Sequence, residues 1–240
     1  MTKAHKQWKV LPHGKLQRID DNMLTVTGDI PMPLMKLSRR MTIVRLKDGR
    51  LVVFSAMALD ENGMNAIEAF GHPTFLVVPN DKHRLDSRIW KARYPQLCVA
   101  TPPGSLDKVE DVVAVDSTSP QFDDPSVQFV AVPGTGDRES ALVVNGRSGT
   151  TLVLNDVVGN VREASGIGGW LLRRFGFAGD RPQIPGVVRM VLLKDARALR
   201  AQLLRWADIG SLRRILVSHG VAIEDNPRQV LRDLAATLAT

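Results

Sequence analysis

A single cysteine, Cys98, stands in 240 residues. No disulfide can form within the chain, so a small scaffold held by cross-links is excluded and a reducing compartment is the natural setting. Long apolar runs are missing too, none approaching the ~20 residues that span a bilayer. The start, MTKAHKQWKVLPHGK, lacks the apolar core of a signal peptide. The expectation is a cytoplasmic protein with no membrane partner. Aromatics are only 5% of the residues, with one tyrosine, and none forms a stacking series beside basic side chains. A net charge of +7 would suit nucleic acid. The basic residues are scattered, however: Lys3, Lys6 and Lys9, then Arg39-Arg40, Arg173-Arg174, Arg197 with Arg200, and Arg213-Arg214. They read as solvated faces, and nucleic acid is not expected as a partner.

What remains is an ordinary globular composition, 44% hydrophobic and 24% charged, long enough for one large α/β domain. Residues 22–30 read as a strand ended by Pro31-Met32-Pro33. Met41–Leu46 and Leu51–Ser55 flank Asp48-Gly49, a hairpin signal. Asp60–Phe70 has helical spacing, with Gly71 as its stop. Phe75–Val78 is a buried strand, Ile89 and Trp90 sit on a helix, and Leu97–Ala100 is the next strand. A second strand series is expected from Val112, through 127–132, 140–144 and 151–154, with Asn145-Gly146 in a hairpin. Gly159–Pro185, with its GIGGW stretch, reads as an irregular or partly helical excursion. GIGGW lacks the strand-to-helix context of a dinucleotide fingerprint. Helices over 194–206 and from Pro227 flank a last strand, Ile215–Val217. β-then-α order occurs twice, so two halves, roughly 20–116 and 126–238, would pack their sheets face to face. A four-layer αββα sandwich in one domain is the expected fold.

Three apolar strands end in groups suited to metal or acid/base work. Phe75–Val78 leads to Asn80, His83 and Asp86, Thr151–Asn155 leads to Asp156, and Ile215–Ser218 leads to His219. Imidazole and carboxylate suit zinc, iron or manganese. His83 and Asp86 would share a face if their segment is helical. Cys98 lies mid-strand and reads as an inert core thiol. Ser55 and Ser218 lack a nucleophile-elbow setting. Glu139, after a Gly-Thr-Gly turn, is placed to hydrogen-bond backbone near the site.

Pro79-Asn80, His83-Arg84-Leu85, Trp90-Lys91 and Tyr94-Pro95, with Asp156 in LVLND and His219 in ILVSHG, resemble the metallo-β-lactamase fold superfamily over residues 20–238. The resemblance implies the αββα fold, a bridging role for Asp156 and a metal-ligand role for His219. It also implies departures. The family's His-x-His-x-Asp-His motif falls on Asn80, Lys82, Arg84 and Leu85, and Thr135 stands where another histidine is expected. Two readings follow. In one, His83, Asp86, Asp156 and His219 hold at most one weakly bound divalent ion, with Asp156 and His219 catalytic. The chain is then a hydrolase of an ester, lactone, thioester or phosphoester, working through a metal-activated water on a small molecule. In the other, which the missing ligands favour, no cofactor binds. Lys82 or Arg84 then pairs with Asp156, and the chain is a non-catalytic binding module.

Overall fold

A computed structural model describes residues 4–32, 35–162, 173 and 178–238. β1 (Gln17–Asp20), β2 (Met23–Met32), β3 (Met35–Arg45), β4 (Arg50–Phe54), β5 (His72–Val77) and β6 (Cys98–Ala100) form a sheet in chain order. The first four strands are antiparallel, and β4, β5 and β6 run parallel. The second sheet holds β7 (Val127–Ala131), β8 (Ser140–Gly146), β9 (Gly149–Leu154) and β10 (Leu212–Val217), in the order β10-β9-β8-β7. β7, β8 and β9 are antiparallel, and β10 lies parallel to β9.

Alternation along the strands makes the layers. In β4, Leu51 and Val53 point one way and Val52 and Phe54 the other, as the two-residue period of a strand requires. Val52 and Phe54, with Val77 and Val44, meet Leu142, Val144, Val153 and Leu216 of the second sheet in a core between the sheets. Leu51, Val53, Leu76 and Val99 face outward against Met64 and Ile67 of α1 (Glu61–Phe70), Trp90 of α2 (Ser87–Arg93) and Val109 of α3 (Leu106–Glu110). On the far side, Leu152, Leu154, Ile215 and Val217 pack under Val188 of α4 (Gly186–Val191), Leu199 and Leu203 of α5 (Ala196–Ala207), and Leu231 and Leu234 of α6 (Pro227–Ala236). Both sheets are therefore covered on both faces, which is why their strands read as near-continuous apolar runs. The result is helix, sheet, sheet, helix.

The Asp48-Gly49 turn joins β3 to β4, with Gly49 at φ +87° and the Asp48 carboxylate accepting from the Arg50 amide. α1 starts where Asp60 caps the Gly63 amide. Several boundaries differ from expectation. β1 was not expected. The strand expected from Met41 starts at Met35 as β3 and pairs with β2 across ten positions. Pairing through Pro31↔Lys36 carries the ladder past the proline that was expected to end it. Val112 is not a strand but the end of the α3 turn. Residues 163–172 and 174–177, including GIGGW, lie outside the described residues.

Candidate metal centre

Parallel strands put their carboxyl ends on one edge of a sandwich, and ligands usually collect there. β4 delivers Ser55 to that edge, β5 delivers Asn80 and His83, β9 delivers Asn155 and Asp156, and β10 delivers Ser218 and His219. The Asp156 Oδ1 atom lies 3.0 Å from His83 Nε2 and 3.0 Å from His219 Nε2. The two imidazole centroids are 5.3 Å apart and tilted by 58°. One ligand atom from each residue falls within 4.8 Å of the others.

A surrounding set of hydrogen bonds holds this group. The Asn80 side-chain amide donates to Asp156 Oδ2 at 2.7 Å and also to Glu139 Oε1. Its oxygen accepts the Lys82 and His83 amides and so fixes the loop that carries His83. Glu139 is fully buried and accepts from the Asp156 amide and the Asn155 side chain. The Ser218 hydroxyl donates to Asn155 at 2.7 Å. His219 Nδ1 faces the Ser38 carbonyl, and the Gly220 amide donates to the Ser38 hydroxyl. His83 Nδ1 lies 3.0 Å from the Ser55 hydroxyl.

Charge follows from these neighbours. Burial acts to raise the Asp156 carboxyl, but the charge of His83 and hydrogen bonds from both histidines hold it well below the usual range. Burial and then the Asp156 charge push Glu139 well up, only partly opposed by its hydrogen bonds. For His219, burial acts to lower the pKa, but Asp156 and the Ser38 carbonyl outweigh it and the net shift is upward.

The donor set fits one divalent ion. The Ser38 carbonyl only accepts, so His219 must carry a proton on Nδ1. The lone pair of neutral His219 at Nε2 would then face a carboxylate oxygen. That contact is repulsive unless a proton or a metal cation stands between them. Two imidazoles and one carboxylate, leaving positions open, are a ligand set suited to zinc, iron or manganese. Two neighbouring positions are engaged in hydrogen bonds of their own: Asn80 donates to Glu139 and Asp156, and the Thr135 hydroxyl donates to the Val132 carbonyl.

Asp86 does not join the group. Residues 80–86 form bends and a turn, with helix only from Ser87, so the shared helical face expected for His83 and Asp86 does not exist. Asp86 turns away to Arg39 Nη1 at 2.7 Å and His5 Nδ1 at 2.6 Å. Both histidines pair with the Asp156 carboxylate. Lys82 lies 3.5 Å from Asp81, and Arg84 reaches Asp111 and the Lys108 carbonyl. Glu139 hydrogen-bonds backbone beside the site as expected, and Ser55 joins it as a residue not expected there. The β4 strand-end position of Ser55 was the signal that could have found it.

Gly220 shapes the turn behind His219. Its φ is +104°, and a Cβ there would lie 2.1 Å from the Asn160 carbonyl oxygen. Gly220→Ala is expected to destabilise the protein by more than the ~1–3 kcal/mol of backbone strain alone, readable by urea unfolding. An unfolding midpoint equal to wild type would show that this turn tolerates a side chain.

No family model matches the sequence, and no curated protein matches it. Solved structures do match. The metallo-β-lactamase FIM-1 from Pseudomonas aeruginosa, in a mono-zinc form, is 12% identical with a TM-score of 0.63, over 95% of this chain and 97% of its own. The metallo-β-lactamase DIM-1, exposed to ceftazidime, is 13% identical with a TM-score of 0.63, over 96% of this chain and 100% of its own. TMB-1, in a study of residues in substrate and inhibitor binding, is 9% identical with a TM-score of 0.63, over 95% of this chain and 99% of its own. Near-complete coverage of both chains at such low identity makes this a divergent metallo-β-lactamase fold.

Proposed function

We propose that this metallo-β-lactamase-fold chain is a cytoplasmic hydrolase that holds one divalent ion on His83 Nε2, Asp156 Oδ1 and His219 Nε2. Its expected substrates are small esters, lactones, thioesters or phosphoesters. The carrying observation is the convergence of three ligand atoms, from three different strand ends, within 4.8 Å. The mono-zinc form of FIM-1 supports the reading that one ion can occupy this fold. When bound, zinc, iron or manganese supplies Lewis acidity and an activated water.

The chain's own residues do the positioning. Asn80 ties the Asp156 carboxylate to the His83 loop, and so sets the distance between two ligands from different sheets. Glu139 grips the Asp156 amide and the Asn155 side chain, which keeps the β9 end in place. Asp156 Oδ2 stays engaged by Asn80, leaving Oδ1 as its ligand atom. Among the described residues no helix is long and apolar enough to cross a membrane.

Elemental analysis of protein purified without chelator, followed by loading with zinc, iron or manganese, is expected to give one ion per chain. His219→Ala should lower affinity beyond the ~10–100-fold typical of losing an outer-shell partner. It should also remove turnover of a chromogenic ester, thioester, lactone or phosphodiester. Two tight ions would overturn the reading. No ion from any of the three metals would leave the fold as a non-catalytic binding module.

A further inference from the structure

We propose that Ser55 is the positioning residue that fixes the His83 ring so that Nε2 faces a bound ion, its hydroxyl taking the Nδ1 side of the ring. This rests on the one-ion reading of the site above.

Ser55 is unusual in its backbone. It follows β4 directly, is 4% exposed, and adopts φ +58°. Left-handed backbone crowds the Cβ of any residue that has one, and glycine would avoid the cost. The conformation is held by the Ser55 amide, which donates to the Val77 carbonyl at 3.0 Å, at the start of the loop leading to His83. It leaves the hydroxyl 3.0 Å from His83 Nδ1, on the side of the ring opposite Asp156. Strained backbone of this kind gathers at functional sites.

The two histidines are held differently. His219 Nδ1 meets a carbonyl, which can only accept, so its Nδ1 proton is fixed in every state. His83 Nδ1 meets a hydroxyl, which can give or take. To ligate an ion, Nε2 must offer its lone pair, so the ring proton has to sit on Nδ1 and be accepted by Ser55. The hydroxyl accepts it without moving, whereas an amide N–H in its place would meet that proton head on.

Ser55 as a covalent nucleophile is the competing use of the same contact, since His83 also touches Asp156. The positioning role is favoured because the hydroxyl is buried beside an imidazole whose other nitrogen belongs to the metal group.

The test uses Ser55→Gly, which relieves the backbone, and Ser55→Ala, which keeps the volume. Zinc affinity, measured by competition with a chromophoric chelator, is expected to fall ~10–100-fold in both, as for other outer-shell partners. Histidine nitrogen NMR should show the His83 proton on Nδ1 in the zinc-loaded wild type. Affinities within twofold of wild type, with the Nδ1 proton unchanged in the zinc-loaded variants, would overturn the inference and leave the one-ion reading standing. A wild type that takes up no zinc would overturn that reading, and this inference with it. Covalent labelling of Ser55 by a fluorophosphonate, lost in Ser55→Ala, would assign the hydroxyl to nucleophilic chemistry instead.

Discussion

Asp86→Ala is expected to lower unfolding free energy by about 3–5 kcal/mol, the usual result of removing one partner from a buried ion pair. The Asp86 side chain is fully buried and Arg39 is 5% exposed. The pair stands at 2.7 Å, and the second Asp86 oxygen holds His5 at 2.6 Å. Among the described residues Arg39 Nε and Nη2 find no hydrogen-bond partner, so Asp86 is what compensates that guanidinium there. Without Asp86, a buried cation is left with no anion. In a chain of this size the loss corresponds to a fall in Tm of roughly 6–20 °C. The double variant Arg39→Met with Asp86→Leu removes both charges and is expected to recover most of the loss. Zinc affinity of the folded protein should change less than fivefold, because Asp86 lies outside the ligand group. A stable Asp86→Ala protein that loses zinc would return Asp86 to the metal centre.

That pair marks where the sequence stopped being legible. The strand ends were readable because apolar runs stop at residues with ligand chemistry, and parallel strands collect those ends on one edge. Asp156, His219 and His83 follow that rule. Asp86 was assigned by helical spacing, but the chain between Asn80 and Asp86 follows the Asn80 side chain through bends, and three-residue spacing has no fixed facing there. Ser55 stands at a strand end too, but that position alone does not assign its role. Its role depends on a positive φ and on a contact 28 positions along the chain, neither written in local residue type. β1 has only four residues, half exposed, too short and too polar for an apolar pattern to show.

The second large effect is a reversal of pH dependence when zinc is added. In the metal-free protein, the pKa of His219 is raised, so its contribution is complete below the unfolded value of 6.5 and fades as pH rises through the folded value. Glu139 adds to the same slope. Its folded state favours the protonated form, so its cost grows as pH rises above the unfolded value of 4.5. Asp156 works in the opposite sense. It is held low, so its contribution is present above 3.8 and is lost as pH falls toward the folded value. Metal-free protein should therefore be most stable between about pH 4 and 6, and weaker at pH 8. Zinc requires deprotonated ligands, so its affinity grows with pH. At about a hundred times its dissociation constant it adds ~2.7 kcal/mol. That gain should be large at pH 8 and nearly absent at pH 5. Urea unfolding at pH 5, 6.5 and 8, with and without zinc, reads both slopes. Asp156→Asn removes the ligand and the anion between the histidines together, so it should flatten the metal-free slope and abolish the zinc gain at pH 8. A zinc gain equal at pH 5 and pH 8 in the wild type would place the ion on groups other than these histidines and this carboxylate.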